Sequence, residues 1–182
     1  MEKVVAKASA IQPRDPLDPH TTFGAIMNEA HMHKVLGYIE SAKREGATLL
    51  CGGSQVNTGS GGYYIAPTIF DQVSPHYRIA REEIFGPVLS VFSFKDEAEA
   101  VQLANDSPYA LAAHVSTENL GRAHRMGQQL EAGVILISGS ANPMAGYVNL
   151  GVEPQKQSGM GFEGGRAGLE AYTVVSAVHM II

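Results

Sequence analysis

Apolar residues recur at helical spacing in several stretches of this chain, separated by short unbroken apolar runs. Residues 2–9 read as the tail of a helix, with Val4, Val5 and Ala8 on one side. Pro13, Pro16 and Pro19 then exclude regular structure from the segment Gln12 to Pro19. Asn28 suits the N-cap of a helix running to about Glu45, whose apolar positions Val35, Leu36, Ile39 and Ala42 keep the helical period. Gly46 ends it, and Ala47-Thr48-Leu49-Leu50 begins a short strand that stops at Gly52-Gly53. A second glycine cluster, Gly59 to Gly62, precedes the strand-like run Tyr63-Tyr64-Ile65-Ala66, which Pro67 closes.

Further along, the alternation becomes regular. Val88–Phe94 reads as a strand, and Asp96 with Glu99 makes a capping-box-like start for a helix to about Ala104. Leu111–Val115 reads as a strand, Leu120–Leu130 as a helix and Val134–Ile137 as an apolar strand. Strands alternating with helices imply an α/β fold with an open, mainly parallel sheet, flanking helices and right-handed crossovers. The pattern changes after Ser138: 8 of the 20 glycines fall between Gly139 and Gly168, as in a long functional loop. The end of the chain, Tyr172 to Ile182, is β-branched and apolar to its last residue. Such a strand exposes an edge, so Val174–Ile182 is expected to pair with another chain in a homodimer or higher homo-oligomer.

Composition narrows the classes. Hydrophobic residues make up 45% and charged residues 17%, as in ordinary globular proteins. A net charge of −5 argues against nucleic acid as a partner. No apolar run approaches the ~18 residues of a membrane span, and the N-terminus lacks a signal-peptide pattern. Cys51, the single cysteine, excludes an internal disulfide and suits a reducing compartment, so a cytoplasmic location is expected.

The chemistry-bearing residues are few. Cys51 follows a helix C-terminus and has no neighbouring cation in sequence to favour a thiolate, so it reads as inert. Gly159-Met160-Gly161-Phe162-Glu163-Gly164 matches G-x-G-x-x-G, but Glu153 to Ser158 precedes it and no acidic residue follows Glu170. A dinucleotide fingerprint follows a strand, opens a helix and has an acid about twenty residues on, so this match carries little. His31 and His33 point to different faces of one helix and cannot share a metal, and His20, His76, His114, His124 and His179 keep no ligand spacing. Glu82 and Glu83 before Ile84-Phe85-Gly86-Pro87 would by themselves read as a solvated helical turn.

Taken in order, several segments resemble the C-terminal part of NAD(P)-dependent aldehyde dehydrogenases. They include Asp15-Pro16-Leu17-Asp18-Pro19, Lys34 to Ile39 with Gly46-Ala47, Gly62 to Phe70 and Arg81 to Val88. Ala104 to Tyr109, Ala132-Gly133-Val134, Lys156 to Gly161 and Gly168 to Thr173 complete the set, which spans essentially the whole chain.

The resemblance implies a Rossmann-like catalytic domain of that type over 1–170 and an oligomerisation strand over 171–182. It assigns cofactor contacts to Glu83, for the nicotinamide ribose hydroxyls, and Phe85, for the nicotinamide ring. The parent enzyme would oxidise an aldehyde to a carboxylic acid, using a cysteine nucleophile, NAD or NADP as hydride acceptor, and a glutamate base. The nucleophile and the dinucleotide-binding domain would lie upstream of Glu2. The chain is therefore expected to be a fragment, inactive alone, with no catalytic residue, no metal and no tightly bound cofactor of its own. The alternative is a non-enzymatic module that binds a partner or a nucleotide through the Glu83–Phe85 face. Departures from the family pattern fall at Ala110, Ser138, Gly151 to Pro154, Phe162 and Ser176. Those at Ser138 and Gly151 to Pro154 lie near the substrate end, and Phe162 stands where an arginine could fix the glycine-rich loop by an ion pair.

Overall fold

Asn28 fixes the start of the longest helix. In the computed structural model, which describes residues 1–139 and 150–182, the Asn28 side chain accepts the His31 N–H at 2.8 Å. That bond satisfies one of the donors orphaned at a helix start. The chain divides into two compact units, Met1–Ser93 and Phe94–Ile182.

The first unit begins with α1, Glu2–Ala10, none of whose residues is fully buried. The capped helix, α2, runs Glu29–Glu45 and buries Met32, Val35, Tyr38, Ile39 and Ala42. Those spacings of three and four form one apolar stripe. Gly46 closes the helix at φ 99°, and its N–H reaches the Ala42 and Lys43 carbonyls. Then follow β1 (Thr48–Cys51), β2 (Gln55–Val56), β3 (Tyr64–Ile65), β4 (Thr68–Asp71), α3 (Arg78–Arg81) and β5 (Val88–Ser90). The sheet order is β1-β4-β5, with β4 antiparallel to β1 and parallel to β5. Against it packs the α2 stripe, with Ile65, Phe70, Val73, Ile79 and Ile84 completing one core.

Gly52 shows how tightly β1 meets β4. Its φ is +72°, and a Cβ there would lie 2.2 Å from the Pro67 carbonyl oxygen. Only glycine fits both conditions.

The second unit holds α4 (Glu97–Asn105), β6 (Tyr109–Ala110), β7 (Ala112–Ser116), α5 (Leu120–Gln129), β8 (Val134–Ser138), β9 (Gln155–Lys156) and α6 (Gly165–Glu170). Asp96 caps α4 by accepting the Glu99 N–H at 2.9 Å, while Glu99 reaches back to the Lys95 N–H at 2.6 Å. β7 and β8 pair in parallel from Ala112↔Val134 to Ser116↔Ser138, with α5 as the crossover. β6 pairs antiparallel with β9.

One expectation needs correction. The sheet is not mainly parallel: among the described residues the strands form four small sheets, one mixed, two antiparallel and one parallel. Parallel pairing occurs where a helix carries the chain back, at β4–β5 and β7–β8, whereas β2–β3 is a short antiparallel ladder. Among the described residues, the terminal segment belongs to no strand of this chain's own sheets. Residues 173–182 have no regular structure, and Val174, Val175 and Ile181 are exposed. A strand needs a neighbour for its N–H and C=O groups, and among the described residues none pairs with this segment.

One ion triad joins α4 to α5. Glu97 bonds Arg125 through Nε and Nη2 at 2.5 and 2.9 Å, and Arg122 Nε at 3.1 Å. The Arg125 hydrogen bonds, seconded by Arg122, lower the Glu97 pKa from 4.5 to about 2. A folded pKa below the unfolded value contributes stability above pH ~4.5, which is lost as the pH falls through about 2. We therefore expect Glu97→Gln to flatten the acid limb of thermal stability between those two pH values, and to matter less at high salt. Melting temperatures of both proteins across that range check this. An unchanged acid slope in the variant would remove the triad as its cause.

Candidate functional site

The segment Arg78 to Ser90 is anchored by buried residues and displays polar and aromatic ones between them. Ile79 and Ile84 sink into the core of the first unit. Register with the sheet is set by the Thr68 N–H, which donates to the Pro87 carbonyl at 2.8 Å. Around buried Ile84, Glu83 and Phe85 are both exposed.

The two adjacent glutamates have different surroundings. Glu82 is engaged by its own unit: Tyr38 Oη donates to it at 2.7 Å, and Arg78 grips both its oxygens at 3.0 and 3.1 Å. The same guanidinium lies 4.3 Å from the Tyr38 ring centroid, within range of a cation–π contact. Glu45 accepts the Arg78 backbone N–H at 2.9 Å, tying α2 to the start of α3. The Arg78 hydrogen bonds, and then the one from Tyr38, hold the Glu82 carboxyl below its usual range. Its hydrogen bond to Glu82, followed by burial, pushes the Tyr38 phenol up. Glu83, next in sequence, is exposed and stands outside this network.

Phe85 is the unusual residue. Its φ is +55°, a left-handed conformation that bulky side chains avoid, and it is 77% exposed. Its carbonyl accepts a hydrogen bond from His31 Nε2 at 2.7 Å, and the two rings meet edge-on with centroids 6.3 Å apart. A strained, exposed aromatic beside an exposed carboxylate is an arrangement that points to use rather than to packing.

The family resemblance nominates Glu83 and Phe85 and does not nominate their neighbours His31, Tyr38, Arg78 and Glu82. His31 reads as one of several scattered histidines, because its partner lies 54 positions away. Tyr38 carries the helical period and could be flagged as core, but nothing in the spacing announces its bond to Glu82.

The sequence profile of the aldehyde dehydrogenase family matches residues 1–178. The chain belongs to the aldehyde dehydrogenase family. Among solved structures, it is 41% identical to the aldehyde dehydrogenase KauB from Pseudomonas aeruginosa, with a TM-score of 0.88 over 96% of this chain and 35% of that one. It is 44% identical to HpcC from Thermus thermophilus, with a TM-score of 0.84 over 94% of this chain and 34% of that one. It is 34% identical to the betaine aldehyde dehydrogenase of Staphylococcus aureus in complex with NAD+, with a TM-score of 0.86 over 95% of this chain and 34% of that one. The chain thus spans about a third of the length of the aldehyde dehydrogenases it matches.

Other motifs of this aldehyde dehydrogenase chain take structural places. Cys51 lies half-buried in β1 with its Sγ 3.7 Å from the Pro67 carbonyl oxygen. Gly159 to Gly164 stands between β9 and α6, but β9 pairs antiparallel with β6 and is no part of a parallel βαβ unit. Around Phe162 backbone bonds hold the glycine-rich loop, with Val152 and Glu163 exchanging N–H···O contacts at 2.8 and 2.9 Å.

Lys156 adopts φ +52° and bonds the Asn105 carbonyl at 2.8 Å and Glu131 at 2.8 Å. Ser158 Oγ accepts the Ala110 N–H at 2.8 Å, so the Lys156–Ser158 run is clamped to the β6 region. At Ser138 the hydroxyl lies 3.2 Å from His114 Nε2. A cleft of about 880 Å³ between α4, β7 and α5 is walled by Val101, Ala113, Met126 and Leu130, and contains neither Glu83 nor Phe85. Part of the glycine-rich segment, 140–149, lies outside the described residues. Among the described residues, no group of three His, Cys, Asp or Glu side chains could hold a metal, and no helix is long and apolar enough to cross a membrane.

Proposed function

We propose that these 182 residues are the C-terminal catalytic and oligomerisation part of an NAD(P)-dependent aldehyde dehydrogenase, a Rossmann-like domain that supplies the nicotinamide end of the cofactor site. The complete enzyme oxidises an aldehyde to a carboxylic acid. The observation that carries this reading is the presentation of Glu83 and Phe85 on either side of buried Ile84.

The residues fit a nicotinamide riboside. Glu83 offers an exposed carboxylate that can accept two ribose hydroxyls, and Phe85 offers an exposed ring to a planar heterocycle. The nicotinamide, when bound, accepts the hydride. Glu83 binds and orients the ribose, Phe85 limits how the ring can turn, and the Tyr38–Arg78–Glu82 network holds the backbone that carries both.

The 182 residues alone turn over no aldehyde. Their only thiol, Cys51, is half-buried in a strand with its Sγ against the Pro67 carbonyl oxygen, a partner that does not favour a thiolate. The protein is cytoplasmic in this reading. The exposed segment Val174–Ile182 pairs with another copy of the chain, which sedimentation with and without residues 173–182 tests.

Titration of the isotope-labelled chain with nicotinamide mononucleotide, followed by NMR, tests the cofactor assignment. Binding of about millimolar strength is expected, with perturbations centred on Glu83 and Phe85 and absent with AMP. Phe85→Ala should weaken it up to about tenfold, and Glu83→Gln by a similar factor, since one stacking or hydrogen-bonding contact is worth about 0.5–1.5 kcal/mol. Equal effects from AMP, or variants that bind normally, would overturn the assignment. In the same preparation, aldehyde-dependent NADH formation that Cys51→Ala abolished would overturn the inactivity.

The alternative of a non-enzymatic binding module draws on the exposure of Phe85 and of Tyr172 to Ile182. It predicts that a complete native protein containing this chain forms no NADH from any aldehyde, whereas the leading reading predicts that it does.

A further inference from the structure

We propose that His31 is a positioning residue that holds Phe85 in its outward, left-handed conformation. This inference rests on the reading of Phe85 as the nicotinamide-facing ring, and it names the residue that keeps the ring there. Phe85 has no intrinsic reason to adopt φ +55°, because a Cβ in that region crowds its own backbone. Burial does not compensate, since the side chain is 77% exposed. An external contact must therefore hold it, and its backbone carbonyl makes one, the His31 Nε2 bond at 2.7 Å. A carbonyl can only accept, so Nε2 carries the proton. The ring of His31 also meets the ring of Phe85 edge-on at 70°, so one side chain touches both the backbone and the side chain of its target.

His31 is itself fixed from behind. It is the third residue of α2, and its own N–H donates to the Asn28 cap at 2.8 Å. The helix start, the imidazole and the Phe85 carbonyl thus form one chain of contacts. On the other side of Phe85, Ile84 is buried in the core and Gly86 lies against Val35. The backbone has little room to relax unless His31 lets go.

Two substitutions separate the hydrogen bond from the ring contact. His31→Phe keeps an aromatic edge but has no donor, while His31→Gln keeps an N–H donor of similar reach. Both are tolerated on a half-exposed helix position, so the fold is not at risk. The first readout needs no ligand: the backbone carbon chemical shifts of Phe85, which report a left-handed φ. The second is the affinity for nicotinamide mononucleotide.

His31→Phe is expected to move the Phe85 shifts to ordinary extended values and to weaken binding about three- to tenfold, the range of one hydrogen bond. His31→Gln should restore the left-handed shifts and bring affinity to within about twofold of the original. Left-handed shifts that persist in His31→Phe would overturn the proposal whatever the affinity does. Shifts that collapse while binding stays unchanged would overturn the link from His31 to the ligand. Shifts that collapse in a chain that never binds the mononucleotide would support the clamp and overturn the proposed function instead.

Discussion

Phe70→Ala is expected to destabilise the first unit by about 3–5 kcal/mol, the range for deleting a fully buried aromatic ring. Phe70 is 0% exposed and lies in β4, the middle strand of its sheet. It belongs to the same core as Val35, Tyr38, Ile39, Ile79 and Ile84. The last two anchor the segment that displays Glu83 and Phe85, so the lost ring should loosen the site as well as the fold. Phe70→Leu should do much less, about 1–1.5 kcal/mol, because most of the volume is kept. Urea denaturation followed by circular dichroism measures both. A Phe70→Ala loss below about 1 kcal/mol would mean that this core is not what holds the segment.

That same strand marks where sequence reading ran short. Thr68–Asp71 is four residues long, follows Pro67 and offers no alternation to detect. Its identity as a strand comes from its neighbours β1 and β5, which no local pattern encodes. Strand direction is lost for the same reason, which is how a mixed set of sheets could be read as a mainly parallel one. Helices with caps were far more legible. Asn28 and Gly46 bracket α2, and Asp96 with Glu99 opens α4, because capping is chemistry between residues three or four apart. The parallel β7–β8 pair followed from the helix between them.

The candidate site divides along the same line. Glu83 and Phe85 sit in a contiguous motif, so a family resemblance can nominate them. Tyr38 and Glu82 meet across 44 positions, and His31 and Phe85 across 54, so their contacts exist only after α2 has packed on the sheet. The tail shows the converse. Its β-branched composition reads as a strand, yet Val174 to Ile182 remains irregular where no second edge accompanies it.

Gly86→Ala tests whether that packing, rather than the motif by itself, presents Phe85. A Cβ on Gly86 would lie 2.7 Å from Cγ2 and 2.9 Å from Cγ1 of Val35. Val35 is 0% exposed and β-branched, so it cannot turn away. The extra methyl should therefore cost about 1–3 kcal/mol, as overpacking of a filled core does. Val35→Ala removes both clashing methyls. In the double variant the two losses should fall short of their sum by about 0.5–3 kcal/mol, the range for side chains in direct contact. Strict additivity would exclude the clash as the cause.

The functional consequence follows from α2 geometry. His31 and Val35 are four residues apart and share one helix face. Pushing Gly86 off Val35 must also draw the Phe85 carbonyl away from His31. Gly86→Ala should then lose the left-handed Phe85 shifts and the mononucleotide affinity together, and adding Val35→Ala should return both.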